Sequence, residues 1–147
     1  MLVTHGAIIM VADGAKMSLF RNRGKDFAPD LELIEHCTNF VASTAELGSD
    51  KPGRSFTSMG NMRSSYESSD YHQMDENKFA TAAIEKLNIL AKHSILHFIV
   101  VAAPRVLGLM RKHYSADLRK QLIAEINRDY AGHNYTDVAD LLRHHEA

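Results

Sequence analysis

The run Lys51-Pro52-Gly53-Arg54-Ser55-Phe56, with Ser58, Gly60 and Arg63 close behind, holds the residues best suited to meet a ligand in this 147-residue chain. Gly53 lets successive backbone N–H groups turn toward one side, which is the geometry of an anion nest. The planar fork of Arg54 matches phosphate or carboxylate, and Lys51 and Arg63 can add charge to it. A solvated loop whose arginines meet only water has the same composition, so both readings stay open. An enzymatic reading draws on Arg54, His72 and Asp70 as a hydrolase, with His72 a base near neutral pH. Ser55 could complete a serine-histidine-aspartate set, but no nucleophile elbow surrounds it.

A second candidate lies where strands end. In a sheet whose first and fourth strands are parallel neighbours, ligands collect at the carboxyl ends. Asp13 and Arg105 fall at those ends. A two-metal nuclease needs several carboxylates converging on cations about 3.5–4 Å apart, and one acid with one arginine does not supply them. Asp13-Gly14 is more simply a hairpin turn. The chain has nine histidines, among them His93, His97, His144 and His145. None forms a spaced pair on a helix or joins a second cysteine, so neither a metal nor a cofactor is expected. Cys37 is the single cysteine. It excludes an intramolecular disulfide, fits a reducing compartment, and reads by default as a buried structural thiol. No catalytic residue is assigned.

Composition supports one ordinary globular domain over residues 1–147, with 45% hydrophobic and 24% charged residues. The formal net charge of −1 gives no global field toward nucleic acid or anionic lipid. No apolar run approaches the roughly 18 residues of a membrane span. Residues 1–6 have neither a basic n-region nor a cleavage site, so a cytoplasmic location without membrane contact is expected.

The elements follow from periodicity. Ala7–Ala12 is continuously apolar, as a strand covered on both faces should be. Lys16–Arg21 and Leu31–Cys37 complete a meander, the last with Leu31, Leu33 and Cys37 on one side. Residues 43–75 read as a long flexible functional loop, a length unusual inside a compact domain. From Asp75, a plausible N-cap, Phe79, Ala83, Ile84, Leu87 and Leu90 mark one face of a helix ending near His93. His97–Ala103 is a second buried strand, Pro104 opens a helix to Tyr114, and Ser115 caps another through Gln121. Leu122–Tyr130 fits an edge strand or a continued helix equally, and Thr136 begins the last helix. The expected fold is α/β: a ribonuclease-H-like mixed sheet in three layers, ordered β-β-β-(long loop)-α-β-α-(β)-α, with the first strand central beside the fourth.

Asp50-Lys51-Pro52-Gly53-Arg54-Ser55-Phe56, then Ser58, Gly60, Arg63, Asp70, His72, Glu76 and Phe79-Ala80, resemble the bacterial host-attachment protein family. Val11-Ala12-Asp13-Gly14-Ala15 and Ala103-Pro104-Arg105 with Leu107, Gly108 and Arg111 extend the resemblance over nearly the whole chain. That family is similar to the middle domain of archaeo-eukaryotic peptide-chain release factors. In those factors a loop between the third strand and a long helix carries Gly-Gly-Gln to the ribosomal peptidyl-transferase centre. The resemblance implies that Lys51, Pro52, Gly53, Arg54, Ser55, Phe56, Ser58, Gly60, Arg63 and His72 form a binding loop, with the ribosome or tRNA as partner. Gly60-Asn61-Met62 is the nearest approach to Gly-Gly-Gln and lacks the glutamine that positions water, so a non-enzymatic module is expected. A protein partner, with an indirect effect on attachment to host cells, is the alternative, and the oligomeric state is open.

Overall fold

A computed structural model describes residues 1–38 and 65–145, with 65–75 as backbone only. Its centre is β1 (Ile8–Ala12), buried at every position. That strand pairs antiparallel with β2 (Lys16–Asn22) and parallel with β4 (Phe98–Ala102), Ile8 opposite Phe98 and Ala12 opposite Ala102. Adding β3 (Leu31–Thr38) and β5 (Leu122–Asn127) gives a five-stranded sheet in the order β3-β2-β1-β4-β5. This is the ribonuclease-H-like layout, and β1 and β4 hold its middle because their uninterrupted apolar runs are covered on both faces.

Alternate residues of β1 feed two cores. Ile8, Met10 and Ala12 join Phe98 and Val100 under α1 (Ser65–His93), α2 (Pro104–Arg111) and α3 (Ala116–Gln121). From these helices come Ala80, Ala83, Ile84 and Leu87, then Val106, Leu107 and Met110, then Leu118. Ile9 and Val11 join Ile99 and Val101 on the opposite face, where α4 (Tyr135–His144) contributes Val138 and Leu142. Helices on both faces make three layers.

Helix α1 starts ten residues before the expected cap at Asp75, so residues 65–75 are helix rather than loop. No glycine or proline occurs between Gly60 and Pro104, and nothing in that stretch interrupts a helix once it starts. The apolar period begins only at Phe79, which is why periodicity placed the boundary late. Helix α2 stops at Arg111, short of Tyr114, in a turn where His113 N–H donates to the Met110 carbonyl at 2.9 Å. Ser115 then caps α3, its hydroxyl accepting from Leu118 N–H at 3.0 Å. The ambiguous segment is strand. Gln121 ends α3 by donating to the Ala91 carbonyl at 2.9 Å and accepting from Leu96 N–H at 2.7 Å, and β5 leaves from there parallel to β4. Helix α4 starts at Tyr135, behind an Asn134 cap, one residue before the expected Thr136.

Strand β3 departs from simple alternation. Leu19 faces Glu35 and Phe20 faces Leu33, leaving Ile34 as an extra residue in a bulge. One inserted residue reverses the side each later side chain takes. Leu31 therefore enters the α4 core, Cys37 packs toward the α1 core, and Leu33 is exposed. They do not share one side. Asn22, at the end of β2, is the one fully buried polar residue among the described residues. Its Nδ2 donates to the carbonyls of Val3 (2.9 Å) and Thr4 (3.3 Å), and its Oδ1 accepts from the N–H groups of Gly24 (2.8 Å) and Asp30 (2.9 Å). Among the described residues no helix is long and apolar enough to cross a membrane.

Candidate functional site

The parallel pair β1 and β4 ends in register at Ala12 and Ala102. Beyond β1 the chain turns at Asp13-Gly14-Ala15. Asp13 Oδ1 accepts from the N–H groups of Ala15 and Lys16, both at 2.7 Å, and the Asp13 N–H donates to the Lys16 carbonyl at 3.0 Å. Its carboxylate therefore closes the hairpin, and the turn forms without the positive φ at Gly14 that an Asp-Gly hairpin favours. Gly14 serves a different need. A Cβ there would lie 2.9 Å from Cγ and 3.0 Å from Cδ of Glu76, so any other residue would push the Glu76 side chain away from the turn.

Glu76 in turn links the two strand ends. Its Oε1 accepts from Nη1 of Arg105, the second residue of α2, at 3.1 Å. Arg105 thus reaches back across the end of the sheet to α1, and its partner is Glu76 rather than Asp13. With 49% and 35% of the two side chains exposed, the pair contributes little stability. It orients α1 against α2 at the mouth where ligands of such sheets collect. Asp13 and Arg105 do come to the same end, as expected. Glu76 was legible only as one residue of the family-like pattern. Among the described residues no three His, Cys, Asp or Glu side chains are placed to hold a metal ion.

Lys51, Pro52, Gly53, Arg54, Ser55, Phe56, Ser58, Gly60 and Arg63 lie outside the described residues. His72 lies on α1, in the described backbone, and not in a loop. Asp70, its suggested partner in a hydrolase, is two positions earlier on the same helix, about 200° away around the axis. Cys37 is half-buried, and its Sγ donates to Glu35 Oε2 at 3.2 Å, which also meets Lys86 Nζ at 2.7 Å. Burial and the Glu35 carboxylate both push the thiol above its ordinary value, the reverse of an activated nucleophile.

A polar cluster at the outer edge of the sheet was not legible in the sequence, because its members come from α2, the turn after it and β5. Arg111 at the end of α2 donates through Nε to both carboxylate oxygens of Glu125 on β5, at 3.0 and 3.2 Å. Tyr114 Oη donates to Glu125 Oε2 at 2.6 Å. Burial and this bond push the phenol above its ordinary value, so Tyr114 stays protonated as a donor. Burial alone would raise the Glu125 carboxyl, but the bonds from Arg111 and Tyr114 outweigh it and hold the carboxyl low.

A lowered carboxyl stabilises the fold above about pH 4.5, the ordinary value, and the contribution disappears as the pH falls through the lowered one. Glu125→Gln should therefore melt a few degrees below the unmodified protein at neutral pH. The difference should shrink on acidification below that ordinary value. Thermal melts across this range test it, and a difference independent of pH would dismiss the ionised pair as its source.

The model of bacterial archaeo-eukaryotic release factor family 12 matches residues 6–142, from just before β1 into α4. The chain belongs to that family. The family 12 match spans all five strands, so the strand-end residues Asp13, Glu76 and Arg105 and the Arg111–Tyr114–Glu125 cluster all lie within it. No curated protein matches the chain.

Proposed function

We propose that this release-factor-family module works without enzymatic activity, in the cytoplasm, by associating with the ribosome or with RNA through its Pro52-Gly53-Arg54-Ser55-Phe56 segment. Membership of the release-factor family over the whole fold carries this reading. Two features support it. The segment lies between β3 and a 29-residue helix, the position that the resemblance assigns to the loop entering the ribosome. The sequence also has no Gly-Gly-Gln, so binding fits it better than peptidyl-tRNA hydrolysis.

The test is co-sedimentation with ribosomes from native lysate at low and high salt, comparing the unmodified protein with a folded Arg54→Ala/Arg63→Ala variant. Salt-sensitive co-sedimentation that the variant loses is the expected result, because each phosphate contact adds to the salt dependence. Protein left at the top of the gradient at every salt would sink the reading. A second reading, a protein-interaction module with an indirect effect on attachment to host cells, draws on apolar side chains at the β3 edge. Leu33 and Ile34 are exposed there, with Phe27 exposed shortly before them, and such side chains suit a protein partner.

A further inference from the structure

The positive charge of this chain is concentrated. Residues 105–125 carry five Arg and Lys against two acids, a formal +3, while the rest of the chain carries −4. The fold gathers this segment into α2, α3 and β5 at one edge of the sheet. Arg119 turns back from α3 onto α2. Its Nη2 donates to the Arg111 carbonyl at 3.3 Å, and its guanidinium lies 6.0 Å from the centre of the Tyr114 ring. An aromatic face and a carbonyl hold that fork in place, lowering the cost of ordering it on a ligand.

Of the two acids, Glu125 is taken by Arg111 and Tyr114. Lys112, Arg119 and Lys120 are exposed and form no ion pair among the described residues. Arg119 lines an open groove of about 410 Å³ together with Arg111, Tyr114 and β5, and Lys112 and Lys120 are the sequence neighbours of Arg111 and Arg119. A clamped guanidinium with exposed lysines on α3 and just after α2 matches a chain of phosphates spaced along a backbone.

We propose that the α2–α3 face is an RNA-binding surface that contacts the phosphodiester backbone through Lys112, Arg119 and Lys120. This deepens the proposed function and rests on its RNA-associated form, adding a second point of attachment far in sequence from the Arg54 segment. Global charge near zero hides the surface, because acids elsewhere in the chain cancel it.

The test is fluorescence anisotropy of a fluorescein-labelled RNA hairpin with the intact protein over a series of salt concentrations. Lys112→Gln/Arg119→Gln/Lys120→Gln should weaken binding at least about tenfold and lower the log–log salt slope by roughly 2–3, near one unit for each phosphate no longer neutralised. Lys112→Gln/Lys120→Gln leaves Arg119 seated on Tyr114, so it remains informative if the triple variant fails to fold, and it should lower the slope by roughly 2. Unchanged affinity and slope in both variants, with binding abolished in Arg54→Ala/Arg63→Ala, would overturn this surface and leave the proposed function standing. Failure of the unmodified protein to bind the hairpin at any salt would overturn both. Binding to phosphatidylglycerol vesicles or polyglutamate through these lysines, with none to RNA, would overturn the choice of partner.

Discussion

Asn22→Asp should destabilise the fold by about 3–5 kcal/mol at neutral pH, because it buries a charge where half its partners are acceptors. The Gly24 and Asp30 N–H groups could still donate to one carboxylate oxygen. The other oxygen would face the carbonyls of Val3 and Thr4, which now accept from Nδ2. Burial and these carbonyls would raise the aspartate's native pKa above its unfolded value of about 3.9. Protonation restores a donor, so the variant is least impaired below the unfolded value and loses stability as the pH rises through the raised one. Urea denaturation at neutral and mildly acidic pH should show the gap to the unmodified protein narrowing in acid. A pH-independent gap below about 1 kcal/mol would mean that these bonds are easily replaced.

Phe98→Ala should cost about 3–5 kcal/mol, the loss expected when a large ring leaves a cavity in a packed core. Phe98 is 0% exposed and sits in the α1 core at the start of β4, opposite Ile8. Three residues earlier, Ile95 is 94% exposed, and Ile95→Ala should change stability by less than about 0.5 kcal/mol. The two side chains are similarly apolar, so their contrast in denaturation isolates burial from hydrophobicity. Equal costs would contradict the placement of β4 in the middle of the sheet.

The parts of the fold that were legible in the sequence are those whose signal is local. Continuous apolar runs marked β1 and β4, and Asp-Gly marked the hairpin that Asp13 closes. Pro104 and Ser115 marked helix starts because a missing N–H and a capping hydroxyl act within one turn. What escaped depends on partners far along the chain. Alternation alone puts Leu31 and Cys37 on one face, because nothing in their own strand reveals that Leu19 and Phe20 of β2 skip Ile34. Ser65–Asp75 has no apolar stripe, so its helix could not be read from periodicity. Leu122–Asn127 became a strand through its pairing with β4, which neither propensity nor alternation specified.

The candidate site divides in the same way. Asp13 and Arg105 could be placed at the strand ends from topology alone, but Glu76, which joins α1 to Arg105, needed the tertiary approach that Gly14 permits. Arg111, Tyr114, Arg119 and Glu125 come from α2, the turn after it, α3 and β5, and only the folded chain brings them together on Glu125 and the Tyr114 ring.

The central pairing of Ile8 with Phe98 closes a ring of chain that contains the hairpins, segment 39–64 and all of α1. Closing a ring this large has an entropic cost that grows only with the logarithm of its length. Doubling a connecting segment adds about 0.6 kcal/mol. Thr38 ends β3 and Ser65 starts α1, so each residue added to the chain between them enlarges the ring at this small entropic cost.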